Sequence, residues 1–352
     1  MDQSKVTLIM PVYNTEERVL KKCVESIKQQ TSNRWNLLII DDGSIPTVAD
    51  LCEQFTNDKR INVIHKINAG VSAARNFGTS LVTDAYIMYV DSDDVLSNFV
   101  IEEALNIIET TGADIVYGGV CKIPTQDSFN RYSTLRSLNY DNALYGKDDI
   151  LSAMFGGIRN ELNRIKDVGQ IIRAPFARLI KAEIARQVLF PEDLKIGEDI
   201  VWNSRVISLC QKIAVAKSIW YGYVQYPCSA INKYYGNRIE ITEQWISIIY
   251  EENKRLFLRY PENFGQMLAV EYYVIVCYDI LPSSTIGSIW KKNKVVKQLT
   301  ERYPWNVLKR RKYRSTLAKS QKLLLLLGVL GIGVLSVAIY LRIKSILKFL
   351  TI

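Results

Sequence analysis

The stretch YIMYVDSDDVLS, residues 86–97, is an apolar run that ends in three carboxylates, Asp91, Asp93 and Asp94. Taken alone it has two readings. It is a buried strand closing in a solvated turn, where Asp is common, or a strand end that presents acids to a cation. The neighbouring sequence decides the architecture. VTLIM (6–10), NLLII (36–40), INVIH (61–65) and DIVYGGV (114–120) are also continuous apolar runs, as expected of strands covered on both faces. Segments with helical spacing lie between them: Val19, Leu20, Cys23, Val24 and Ile27, then Val48, Leu51, Cys52 and Phe55, then Ile101, Ala104, Leu105 and Ile108. Asn14 is placed to cap the first helix, with Glu17 completing a capping-box-like pair. This alternation predicts an α/β fold with a doubly wound, mostly parallel sheet and helices on both faces. Ligands on such sheets bind beyond the C-terminal strand ends, and YNTEE, DDGS, NAG and DSDD all fall there.

The chain has 352 residues, 48% apolar and 23% charged, enough for one large domain and an accessory part. Its net charge of +9 is a local property. Residues 309–352 hold ten Lys or Arg and no acid, which leaves 35 basic against 36 acidic groups elsewhere. A near-neutral body offers no basic face for nucleic acid. A tail that is both basic and apolar points instead to a membrane surface. Residues 323–341 carry no charge and as a helix would extend about 29 Å, one hydrocarbon core. Basic residues flank the run, mostly upstream, so the positive-inside rule puts the body in the cytoplasm. Gly328, Gly331 and Gly333 keep a shallow or re-entrant arrangement open beside a true span. The six cysteines are scattered without a C-x-x-C pair, which predicts free thiols in a reducing compartment. No secretory signal is expected from the N-terminal sequence, which lacks a basic segment and a long apolar one. The expected organisation is 1–230 for the main domain, with a nucleotide-binding half (1–120) and an acceptor half (121–230), a helical region over 231–320, and a membrane-associated apolar helix over 321–352.

The motifs VTLIMPVYNTEERVLKKCVESIKQQT, NLLIIDDGS, NAGVSAARNFG, YIMYVDSDD and GEDIVW stand in an order that resembles the family 2 glycosyltransferases of the GT-A fold. The similarity runs over roughly residues 5–210. It implies inverting transfer of a sugar from a nucleotide sugar to an acceptor hydroxyl, with Mn²⁺ or Mg²⁺ as cofactor. The Gln-x-x-Arg-Trp motif and multiple spans of processive members are missing from the sequence, which favours addition of one or a few sugars. The implied setting is bacterial surface polysaccharide assembly: a UDP-sugar donor and a glycan or polyprenyl-linked acceptor held at the cytoplasmic face of the membrane. A preformed polymer such as teichoic acid is the alternative acceptor, and a non-catalytic homologue acting as a complex partner is a third reading. A homo-oligomer is neither required nor excluded.

The residues make physical sense of that resemblance. A nucleoside diphosphate leaving group needs a hard cation held by one or two carboxylates. If residues 91–93 are extended, alternation puts Asp91 and Asp93 on one side. By resemblance Asp93 is the metal ligand, Asp91 serves the ribose or the metal, and Ser92 lies between them against the nucleotide. Asp94 is a supporting group or a cap for a helix starting near Asn98. Resemblance favours Asp42 over Asp41 as acceptor of the uracil imide proton, with Pro11, Val12 and Tyr13 against the base edge. Asn68 and Gly70 shape the next loop. Arg75 bridges nucleotide and carboxylates, or simply pairs with an Asp. An inverting displacement needs one general base, and the pattern FPEDLKIGEDIVW selects Asp199, with Glu198 as its neighbour or an acceptor ligand. His65, the one histidine, has no nucleophile motif around it and reads as structural.

Overall fold

In the computed structural model the described residues are 5–131, 143–156, 172–225 and 236–334. The chain forms two compact units, one of residues 1–151 with 166–226 and one of residues 152–165 with 227–352.

The first unit is built on β1 (Val6–Val12), β2 (Trp35–Asp41), β3 (Ile61–His65), β4 (Tyr86–Tyr89), β5 (Val95–Leu96), β6 (Ile115–Ile123), β7 (Ala143–Tyr145), β8 (Arg178–Lys181) and β9 (Ile213–Val224). Among the described residues these make one sheet in the order β3-β2-β1-β4-β8-β6-β9-β5, with β7 on β9. The first four strands are parallel. Their crossovers are α1 (Glu17–Lys28), α2 (Pro46–Gln54) and α3 (Val71–Leu81), followed after β5 by α4 (Val100–Thr111). Parallel neighbours joined by helices put the ends of β1, β2 and β4 on one edge of the sheet, which is where the polar motifs stand. The core matches the apolar runs: Val6, Leu8, Met10, Leu37, Ile39 and Met88 are all but inaccessible. Beyond β4 the parallel pattern breaks. β8 is antiparallel to both β4 and β6.

Two local expectations are corrected. Asn14 does not cap α1; Glu16 precedes the helix without a side-chain cap. Asn14 instead adopts φ 52°, receives the Ile45 amide on Oδ1 at 2.8 Å and donates its own amide to Ser44 Oγ at 3.0 Å. It therefore ties the loop after β1 to the loop after β2. Asp94 caps no helix either: α4 starts at Val100 after Phe99. Asp94 is buried and accepts the Val224 amide at 2.8 Å, which pins the end of β9.

The second unit is helical, as the sequence of 231–320 suggests, with helices Arg238–Glu252, Lys254–Arg259, Pro261–Ile275, Ile289–Glu301 and Lys319–Val329. Trp245, Phe264, Leu268, Tyr272, Val296 and Trp305 are among its buried residues. The leucine-rich run does not continue as the single long helix expected. The helix Lys319–Val329 stops at a turn in which Gly331 takes φ +77°. Val334 then donates its amide to Asn293 Oδ1 at 3.0 Å. Gly328 allows this packing, since a Cβ there would come within 2.0 Å of the Tyr272 hydroxyl. Among the described residues no helix is long and apolar enough to cross a membrane. Residues 335–352 of the expected tail helix lie outside the described residues, as do 132–142, 157–171 and 226–230 of the expected acceptor half. Cys23, Cys52, Cys121, Cys210 and Cys277 are free thiols.

Candidate active site

Arg75 is the hub of the strand-end cluster. Its side chain, 3% exposed on α3, donates Nη2 to Asp91 Oδ1 at 2.8 Å and Nη1 to Asp199 Oδ1 at 2.9 Å. Its guanidinium also lies 5.2 Å from the centroid of the Phe190 ring. One cation thus joins the carboxylate after β4 to a carboxylate 124 positions along the chain from the arginine itself. Burial opposes its charge, but the Asp199 and Asp91 carboxylates outweigh that and hold its pKa above the ordinary value.

Glu198 and Asp199 open α5 (Glu198–Leu209), behind Gly197. A helix N-terminus favours negative charge, yet both acids titrate high. Burial and then the Asp199 charge push Glu198 up to about 7. Burial also raises Asp199, against the lowering effect of Arg75. Desolvation therefore wins over the helix dipole at both positions. The helix is held by Trp202, whose ring stacks on Phe190 at 4.3 Å with Tyr89 edge-on to both. The Trp202 Nε1 donates to the Val188 carbonyl at 3.1 Å.

The Asp91–Asp94 segment departs from the expected strand alternation. β4 ends at Tyr89, and the acids stand on a turn in which the Asp94 amide donates to the Asp91 carbonyl at 3.2 Å. Gln126 donates Nε2 to the Asp93 carbonyl at 3.2 Å. The Asp91 amide donates to the Tyr221 hydroxyl at 3.1 Å. Ser92 and Thr15 share a hydroxyl–hydroxyl bond of 2.7 Å, linking this turn to the loop after β1. Burial and the charge of Asp91 push Asp93 up to about 6. Burial, then Asp93 and Asp91, raise Asp94 further, and its Oδ2 is buried with no partner.

These residues fit a divalent cation. The turn concentrates negative charge beyond what Arg75 offsets, and an orphaned carboxylate oxygen lies beneath it. No cluster of three or more potential ligands occurs among the described residues. Nucleotide-bound Mg²⁺ is usually held by one or two carboxylates and completed by phosphate oxygens and water, so Asp93 and Asp91 suffice for the protein's share.

The second polar group surrounds Asp42, which is 2% exposed. Its Oδ1 accepts from the Ala69 amide at 3.0 Å and from Lys66 Nζ, and its Oδ2 accepts from the Gly70 amide at 2.8 Å. Asn68 Nδ2 donates to the Asp42 carbonyl at 2.8 Å. A carboxylate has about four lone-pair sites, so this one keeps a single acceptor position. Gly43, at φ +76°, is required because a Cβ would meet the Asn68 amide nitrogen at 2.8 Å. Asp41 faces the other way and binds Ser44 N and His65 Nδ1, while His65 Nε2 meets Glu53. His65 is thus held between two acids, consistent with a structural part. Of the β1 residues, Val12 is buried and its carbonyl accepts the Asp42 amide. Pro11 is half-buried, and Tyr13 is 58% exposed at the mouth of the cluster.

Asn76 and Arg178 support this cluster from behind. Asn76, next to Arg75, is buried. It accepts the Phe190 amide at 2.7 Å, donates to the Phe190 carbonyl at 3.0 Å and donates to Glu192 at 2.9 Å. It clamps the loop leading to Asp199. A poor helix former inside a helix was the available signal. Arg178 is fully buried and bonds Asn203, Tyr117 and the Phe176 carbonyl. Asn203 in turn donates to the Asp199 carbonyl at 2.8 Å.

At the strand ends of a mostly parallel sheet, Arg75 thus gathers Asp91 and the distant Glu198–Asp199 pair into one acidic site. The model of Glycosyl transferase family 2 matches residues 7–187. The chain belongs to this family. It is 30% identical to the glycosyltransferase GlyA of Streptococcus pneumoniae over 220 residues, 62% of this chain and 30% of GlyA. It is 25% identical to the minor teichoic acid biosynthesis protein GgaB of Bacillus subtilis over 275 residues, 72% of this chain and 28% of GgaB. The matched part is less than a third of either relative. The fold is similar to that of S. aureus TarS 1–349 in complex with UDP-GlcNAc, with TM-score 0.63, 14% identity, and 94% of this chain and 88% of that one covered.

Proposed function

We propose that the chain transfers a sugar from a UDP-sugar, with inversion, to a hydroxyl of a lipid-linked glycan at the cytoplasmic face of the membrane, in surface polysaccharide biosynthesis. The observation that carries this reading is the Asp91–Arg75–Asp199 bridge. It ties the donor side of the cluster to an acid suited to act as base.

Asp42 uses its remaining acceptor position for the uracil imide proton, while Pro11, Val12 and Tyr13 flank the base. Asn68 and Gly70 hold that loop in shape, and Ser92 keeps the Asp91 turn against the loop after β1. Asp93 and Asp91 hold a divalent cation, Mn²⁺ or Mg²⁺, which when bound neutralises charge on the diphosphate. Arg75 occupies Asp199 Oδ1 and leaves Oδ2 for the acceptor hydroxyl. Asp199 takes that proton as the acceptor oxygen bonds to the anomeric carbon and the carbon–oxygen bond to the diphosphate breaks. UDP leaves with the electron pair. Glu198, raised to about 7, sits beside the base and orients the acceptor. A cytoplasmic-face location follows from the basic sequence of 309–322 and would raise the local concentration of a membrane-held acceptor.

Calorimetric titration with UDP, CDP and GDP tests the donor site. UDP should bind in the presence of Mn²⁺, and Asp93→Ala should remove the metal dependence. Equal affinity for the three nucleotides, or Asp93→Ala binding like the wild type with Mn²⁺, counts against it. Similarity to GgaB favours a second acceptor, a preformed anionic polymer. Transfer to purified teichoic acid but not to membrane lipid extract would select that reading.

A further inference from the structure

The second unit contains a cavity that sugar transfer does not use. It measures about 150 Å³, and Trp305, Leu308, Leu325 and Leu326 wall it, with Lys309 and Arg314 at its border. The apolar walls are mostly well covered: Trp305, Leu308 and Leu325 are 1%, 4% and 6% exposed. The cations are a different matter. Arg314 is half-buried, and its Nε is shielded from solvent without a hydrogen-bond partner. Residues 309–322 bring seven Lys or Arg and no acid to this part of the chain. Beside the cavity, Leu323, Leu326 and Leu330 each leave more than half of their surface exposed.

A buried, unpartnered guanidinium nitrogen calls for an anion, and phosphate suits a guanidinium geometrically. The apolar walls and the three exposed leucines call for hydrocarbon. A nucleic acid or an acidic peptide would satisfy the cations but leave the leucines wet. A ligand that carries a phosphate on a hydrocarbon chain satisfies both. We propose that this cavity binds one anionic phospholipid of a membrane leaflet. Lys309 and Arg314 hold the phosphate, Leu308 and Leu325 meet the first methylene groups, and the exposed leucines rest among the lipid chains. The site deepens the membrane location proposed above and rests on it. It also describes a helix lying at the surface rather than one crossing it, in the region 319–334.

Full-length protein in a mild detergent, mixed with phosphatidylglycerol or phosphatidylcholine, is examined by native mass spectrometry. One phosphatidylglycerol per chain should be retained, and phosphatidylcholine much less. The K309Q/R314Q pair should lower that occupancy about tenfold, while R310Q/R311Q, which removes the same charge from positions that do not line the cavity, should change it by about twofold at most. Equal retention of the two lipids, or equal losses in the two double variants, would overturn the cavity assignment. Vesicle flotation separates the levels. Wild type that floats while K309Q/R314Q retains phosphatidylglycerol refutes the cavity but keeps the membrane location; wild type that neither floats nor retains lipid refutes both. Circular dichroism and thermal melting of both double variants should match the wild type, which shows that they are folded.

Discussion

Removing the Arg75 guanidinium, in Arg75→Met, should destabilise the first unit in a pH-dependent way. Methionine keeps the length and most of the apolar contact with Phe190 but leaves no donor. Two charge-assisted hydrogen bonds are lost, at 2.8 and 2.9 Å, each worth about 1.5–3 kcal/mol. The carboxylates left behind are 27% and 31% exposed, so water recovers part of that. Breaking a buried pair by removing one partner costs about 3–5 kcal/mol, and partial exposure places this case near about 3 kcal/mol. The sign of the pH effect follows from the charges that remain. Without Arg75 the carboxylates of this cluster repel one another, and Asp199 and Glu198, already raised by burial, lose the cation that lowers them and rise further. A carboxyl raised in the folded state favours folding at low pH, and that contribution is lost as pH rises through the folded pKa. The deficit should therefore be smaller near pH 5.5 than near pH 8, by about 1 kcal/mol or more. Urea denaturation of wild type and variant at the two pH values reads this directly. A loss below about 1 kcal/mol, or a deficit that does not change with pH, would refute the view that Arg75 neutralises this cluster.

Three further outcomes follow from the same geometry. Glu198→Gln should raise thermal stability at pH 8 and lose that gain towards pH 5, because a carboxyl held at about 7 is destabilising only once ionised; a variant less stable at pH 8 would contradict the raised pKa. The acid limb of sugar transfer, followed as UDP release against pH, should lie above the ordinary carboxylate range, since burial raises Asp199 as well as Glu198; a limb near pH 4 would argue against this pair. Gly43→Ala, which forces a Cβ against the Asn68 amide at positive φ, should cost about 1–3 kcal/mol and weaken UDP binding, and a variant with wild-type stability and affinity would remove Gly43 from the account.

Much of the first unit was legible in its sequence. β1 and β2 are runs buried on both faces, so composition alone marked them; β3, at the sheet edge, buries only Ile61 fully, and parallel order then placed the polar ends together. Asp91, Asp93 and Asp199 could be named because short motifs carry them. What remained hidden depended on contacts far apart in the chain. Asp94 reads as a helix cap until Val224, 130 residues away, is seen to donate to it. Asn14 looks like a cap, but its partners are Ser44 and Ile45 on the next loop. Arg178 lies in no strand-end motif, and the backbone carbonyls and Asn203 that satisfy it in the interior are seen only in the fold. The leucine run departs from one continuous helix for a different reason. Hydropathy records apolar length but not the packing of Gly328 against Tyr272 that keeps this segment in the helical unit.

In the proposed reaction Arg75 holds Asp199 as the base of a UDP-sugar transfer. Asp199→Asn keeps the shape and one acceptor oxygen for Arg75 but cannot take a proton. Its kcat for UDP release, with a UDP-sugar and a membrane acceptor, should fall about 10²–10⁴-fold, while UDP affinity measured by calorimetry stays close to wild type. Turnover retained in Asp199→Asn, with UDP binding intact, would contradict the account.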